Sequence, residues 1–103
     1  MSSRQLSSGT MERIVLLFRP DQQRDACGIL STECGNNLPF LEKLDATGLE
    51  RVRFAALKLS QGDLKKLKHE VTLAKRDWRD LLVAADFADD LEAHKSWLPS
   101  PEI

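Results

Sequence analysis

Tyrosine is absent from this chain, cysteine occurs only twice, and no apolar stretch approaches the ~18–20 residues of a membrane-spanning helix. Without such a stretch no spanning helix is expected, and without tyrosine one common acid–base side chain is missing. Cys27 and Cys34 do not form a Cys-x-x-Cys redox pair. On one helix they stand seven residues apart, roughly 10 Å along the axis, beyond the ~7 Å that a disulfide tolerates. The same separation keeps both sulfurs from reaching one zinc ion at about 2.3 Å unless the helix breaks between them, even with His69 or His94 at hand. Both are expected to be free thiols. No glycine-rich phosphate loop follows a strand, no serine or cysteine has an identifiable base, and no acids are paired for hydrolysis. Asp89, Asp90 and Glu92 lack the alternating spacing and central glycine of a calcium loop, and read instead as dipole partners and surface charge. The expectation is therefore a protein that is not an enzyme and that carries no cofactor or metal. Met1–Thr10 contains no apolar signal-peptide core, which points to the cytoplasm.

Within its 103 residues the chain has 42% apolar and 30% charged residues, enough apolar content for one modest core without disulfides. Charge is distributed unevenly. Residues 1–50 carry 5 Lys/Arg against 7 Asp/Glu, residues 51–79 carry 9 against 3, and residues 80–103 carry 1 against 6. The middle is basic and the tail acidic.

The stretch from Asp63 to Leu98 organises the rest, because its apolar residues recur at helical spacing in three consecutive runs. Leu64, Leu67, Val71 and Ala74 span an arc of about 80° on a first helix. Trp78, Leu81, Leu82 and Ala85 form a second stripe, and Asp77, with Asp80 three residues on, resembles a cap that starts a new helix there. Arg76 and Asp80 are placed for an i, i+4 ion pair. In the third run Phe87, Leu91, His94 and Leu98 share a face, and Pro99 ends that helix near Trp97. A histidine on such a stripe reads as a packed residue with one hydrogen-bond partner and not as an acid or base, and His69 as an exposed one. None of these segments is long enough to be stable alone. They must pool their apolar sides, with Trp78 at the centre.

Upstream, residues 1–10 read as a frayed, disordered end and residues 11–98 as one helical domain, with residues 99–103 as a tail. Thr10 is placed to cap a helix whose face is Met11, Ile14, Val15 and Phe18, and Arg19 must leave the helical region because Pro20 follows. Pro20 and Asp21 open a second helix presenting Ala26, Cys27, Leu30 and Cys34, which stops at Gly35-Asn36. Gly28 weakens it by up to about 1 kcal/mol relative to alanine. A connector follows to Gly48, in which Phe40, Leu41 and Leu44 can form one inward turn. Another helix is expected from about Leu49 to Leu59, closed by Gln61-Gly62. The fold class is all-α, a bundle of five to six short helices with no strands.

Two surfaces stand out as candidates. Leu49, Val52, Ala55, Ala56 and Leu59 form the main face of the Leu49–Leu59 helix, which leaves Phe54 and Leu57 pointing the other way. A helix apolar on two sides is either sandwiched inside its own domain or offers its second side to a partner or to another copy of the chain. Arg51, Arg53 and Lys58, together with Lys65, Lys68 and Lys75, could line a face that neutralises nucleic-acid phosphates. The competing account is a solvated face that keeps the protein soluble. No aromatics interleave with the lysines, and the acidic final helix would make a poor recognition helix.

The run Arg51-Val52-Arg53-Phe54-Ala55-Ala56-Leu57-Lys58-Leu59, with Gly62-Asp63-Leu64, Ala74-Lys75-Arg76-Asp77-Trp78-Arg79-Asp80-Leu81-Leu82, His94 and Trp97-Leu98-Pro99, resembles short uncharacterised bacterial helical proteins. The likeness covers the C-terminal half and the Cys34-Gly35-Asn36-Asn37-Leu38-Pro39 connector. It implies a bacterial, cytoplasmic protein and brings no activity or site residue with it.

Overall fold

The computed structural model describes residues 6–35, 38–39, 44–90 and 92–99. It is all-α, with helices α1 (Ser8–Leu17), α2 (Pro20–Glu33), α3 (Ala46–Ser60), α4 (Leu64–Ala84) and α5 (Ala93–Ser96), and no strand among the described residues. No helix there is long and apolar enough to cross a membrane.

α3 is the spine. It packs most extensively along α4, with α1 and α5 also against it, while α2 lies against α4 and α1. Val52, Phe54, Ala55, Ala56 and Leu57 are all buried, so α3 is covered around most of its circumference. It starts at Ala46, earlier than its apolar pattern suggests, because the Asp45 carboxylate accepts the Gly48 N–H at 2.7 Å and caps the first turn. It ends where Gln61 (φ 54°) and Gly62 (φ 82°) turn left-handed.

α4 begins at the Asp63 cap, whose carboxylate accepts the N–H groups of Lys65 and Lys66. It breaks at the position its sequence marks. Asp77 takes an extended conformation (φ −165°, ψ 100°) and its carboxylate accepts the Arg79 N–H at 3.0 Å, restarting the helix. The Arg79 side chain also bonds that carboxylate at 2.9 Å and holds it below the usual carboxylate range. Asp77 with Arg79 is thus the pair formed, in place of Arg76 with Asp80. Counted across this break, the described residues form six helical segments. Trp78 lies in the core at 8% exposure, and its indole N–H donates to the Pro39 carbonyl at 2.6 Å.

Three expectations need correction. The first concerns α1, which starts at Ser8 within the segment read as frayed, because the Ser7 hydroxyl accepts the Thr10 N–H at 3.1 Å. Thr10 is buried, not a cap, while Met11 and Val15 are exposed. Ile14 and Phe18 are buried as expected, and the rest of the inward side is Thr10, Arg13 and half-buried Leu17. A hydrophobic count sends Arg13 outward and rotates the face by one position. Arg13 is instead buried, since it finds the carbonyls of Gly9, Lys95 and Trp97 and the ring of Phe54.

The second concerns the last run, which contains only the four-residue α5. At the end of α4, Asp86 adopts φ 68° and donates its N–H to Val83 O at 3.1 Å, and Phe87 donates to Leu82 O at 2.9 Å. This is a Schellman reversal with aspartate in the usual glycine position. It turns Phe87 back into the core, and Asp90 then uses its carboxylate on the Glu92 N–H instead of continuing a helix. Leu98, placed on the stripe by spacing, is 49% exposed. Leu91, like Asn36, Phe40 and Leu41, lies outside the described residues. The third correction concerns the side chains of α3 and belongs to the sites.

Candidate functional site

Phe54 and Leu57, the candidates for a partner-facing surface, are both inside. The His94 ring meets Phe54 edge-on at 5.3 Å, Trp97 lies 6.2 Å away, and the Arg13 guanidinium sits 4.2 Å from the ring centroid. Of the two uses for a helix with two apolar sides, α3 takes the internal one.

The basic set divides the same way. Lys58 donates to Ala85 O at 2.8 Å and lies 4.8 Å above the Phe87 ring. Arg51 donates to the carbonyls of Phe87 and Ala88. Together they place two cations at the negative end of α4, where carbonyls lack helical partners. Arg53 is buried at 2% exposure and donates from Nε to Cys34 O at 2.9 Å, closing the end of α2. The hydrogen bonds these three make run to main-chain oxygens within the fold, so each serves a helix end instead of lying with the lysines of α4. Lys75 pairs with Glu33 at 2.6 Å and ties α4 to α2. Lys65, Lys68, His69 and Arg76 remain exposed on the outer side of α4.

A different apolar surface is open. Met11, Val15 and Leu16 on α1 are 41%, 56% and 52% exposed. Glu12 lies on the same side and exposed Arg19 sits at the corner just beyond, their present ion contacts being Arg13 at 3.3 Å and Asp21 at 3.5 Å. Met11 also touches α2, where the Cys27 thiol lies 3.7 Å from its sulfur. Partial burial raises the Cys27 thiol pKa, and full burial pushes that of Cys34 up to about 12 in spite of nearby Arg53.

Beneath α5 lies a polar knot with no signal in the sequence beyond the residue types themselves. The Ser7 hydroxyl donates to Glu50 Oε2 at 2.6 Å and is joined at 2.9 Å by the Thr10 hydroxyl. The other carboxylate oxygen stands 3.6 Å from His94 Nε2, too far for a hydrogen bond. His94 is fully buried as its stripe suggests, but the one hydrogen-bond partner expected for it is missing, since neither ring nitrogen has one. Burial lowers its pKa, the Glu50 carboxylate opposes that, and Arg51 and Lys95 add to the lowering. Since the Ser7 hydroxyl is directed to the carboxylate and not to the imidazole, the knot joins α1 to α3 and does not align a serine with a base.

A cleft of about 370 Å³ lies near Trp78 and Leu82, bounded by Asp45, Gly48, Arg51, Glu92 and Lys95. Its charged groups are engaged within the fold: Asp45 caps α3, Arg51 holds carbonyls, and Lys95 pairs with Glu92 at 2.6 Å. No protein-family model, curated protein or solved structure matches this chain.

Proposed function

We propose that the chain is a small non-catalytic protein of the bacterial cytoplasm that works by protein contact. The partner is a second copy of itself, and the contact is the outer face of α1. The observation that carries this reading is the exposure of Met11, Val15 and Leu16 on one side of a ten-residue helix. Glu12 precedes this patch and Arg19 follows it, and the midpoint between them falls between Val15 and Leu16. Two α1 helices laid antiparallel about a two-fold axis at that point would bring Glu12 of each copy toward Arg19 of the other, so one patch is complementary to itself. Helices this short bury less than the ~1,200 Å² of a stable complex, so the association is weak and concentration-dependent. The bacterial, cytoplasmic setting rests on the resemblance of the C-terminal half. Sedimentation over a range of concentrations tests the reading: the wild type should gain mass as concentration rises, and Leu16→Glu should not. A wild type that stays monomeric at millimolar concentration refutes it.

A second reading is favoured by Lys65, Lys68, His69 and Arg76, which share the solvent side of α4 after the internally bonded cations are set aside. This stripe suits a nucleic-acid phosphate backbone. Retention on a phosphate column that falls steeply with salt and is lost in Lys65→Glu with Lys68→Glu would support it; no retention at low salt would remove it.

A further inference from the structure

We infer that residues 92–99 form a proton-released strap over the apolar side of α3, with His94 as the group whose charging lifts the strap from Phe54 and Phe87. Phe54 reads in the sequence as an outward aromatic, and what covers it here is this segment together with Arg13.

The strap is held at few points. A four-residue helix has no stability of its own. Two of its carbonyls, those of Lys95 and Trp97, accept bonds from Arg13 at 3.3 and 3.0 Å. Its inward side chains are His94, which is fully buried, and Ala93 and Trp97, which are half-buried. The His94 ring stands edge-on to Phe54 at 5.3 Å and to Phe87 at 6.3 Å, so its walls are aromatic.

A neutral imidazole tolerates such a site at modest cost, although both nitrogens lack partners. An imidazolium needs two acceptors and carries a charge that the aromatic walls cannot solvate. Among the described residues the carboxylate in contact with His94 is that of Glu50 of α3, and one of its oxygens already receives the Ser7 hydroxyl. Against it stand Arg51 of the same helix and Lys95 of the strap, the latter paired with Glu92 at 2.6 Å; Arg13 of α1, paired with Glu12 at 3.3 Å, lies on Phe54, and Lys58 lies over Phe87. Asp86, Asp89 and Asp90 of the preceding connector are solvent-exposed. A proton on His94 therefore enters a place walled by aromatic rings, where the Glu50 carboxylate stands 3.6 Å off and no acceptor lies within hydrogen-bond reach of either ring nitrogen.

The sign follows by linkage. In the closed state the His94 pKa is lowered, so the open state binds the proton more readily. Closure is complete above the ordinary histidine value of about 6.5 and weakens as pH falls below it, by at most about tenfold per pH unit for one proton.

The test is amide exchange of the full chain at pH 7.5 and pH 5.5, corrected for the intrinsic pH dependence of exchange, with the His94 ring titrated by NMR in the same samples. Exchange within residues 92–99 should speed by up to about tenfold at the lower pH while α3 and α4 keep their protection. The ring should titrate below its ordinary value, and His94→Phe should abolish the acceleration. Equal protection at both pH values, the same acceleration in His94→Phe, or a ring that titrates above 6.5 because it closes onto Glu50 would each overturn the proposal. If His94→Phe does not fold, the exchange of the wild type at the two pH values, read together with the ring titration, still decides the matter.

Discussion

The Lys58 ammonium of α3 donates to the carbonyl of Ala85, the residue that closes α4, across 2.8 Å. The same group covers the Phe87 ring at 4.8 Å. A cation at a helix C-terminus contributes ~0.3–1 kcal/mol in the open and up to ~2 when partly buried. Lys58→Met, which keeps most of the stem and removes the charge, should lower stability by about 1–2 kcal/mol in urea unfolding. Its effect on any retention by phosphate should be negligible, whereas Lys68→Glu should leave stability within about 0.5 kcal/mol.

Two glycines should respond in opposite directions. At Gly62 (φ 82°) an added Cβ would stand 2.6 Å from the Leu17 carbonyl oxygen, so α1 would have to shift in addition to the left-handed strain. Gly62→Ala should cost about 2 kcal/mol or more. At Gly28, inside α2, a Cβ meets nothing within 4 Å, and Gly28→Ala should stabilise by about 0.5–1 kcal/mol. Thermal midpoints of the two variants check both signs.

Asp86 occupies a left-handed position at the end of α4 that glycine takes at no steric cost. Asp86→Gly should be neutral or should stabilise by up to about 1 kcal/mol in urea unfolding. Asp86→Val, with a branched side chain at positive φ, should destabilise by more than 1 kcal/mol.

The two thiols should be distinguishable by reagent. Cys34 is fully buried with its pKa pushed up to about 12, so almost no thiolate exists at pH 8. Cys27 is only partly buried. A thiol-titrating reagent at pH 8 should modify one cysteine per chain in the native protein and two in denaturant. Fast modification of both in the native protein would show that α2 does not seat Cys34 as described.

What could be read from the sequence was whatever depends on the chain's near neighbours. Pro20, the Asp77 break and the Gln61-Gly62 stop are local stereochemistry, and Trp78 is the residue with most to gain from burial. Some misreadings were local too, such as the Ser7 cap of α1 and the reversal at Asp86, but those that misplace candidate side chains depend on partners distant in the chain. Arg13 turns inward because carbonyls of Lys95 and Trp97 await it more than eighty residues away. Arg51 and Lys58 look like surface charge until the end of α4 arrives beside them. Phe54 passes for an outward residue because the strap that covers it is a single helical turn with little periodicity to reveal it. Rotating α1 by one position to bury Arg13 is also what leaves Met11 and Val15 outside beside Leu16, so the candidate contact was hidden for the same reason.

The sharpest test of that contact uses charge reversal at its two ends. Glu12→Arg and Arg19→Glu would each set like charges opposite one another in an antiparallel pair, whereas a mixture of the two variants would set unlike charges opposite at both ends. Sedimentation should find each variant alone monomeric and their equimolar mixture associating at least as well as the wild type. Variants that self-associate as the wild type does, or a mixture that stays monomeric while the wild type dimerises, would contradict self-pairing through α1.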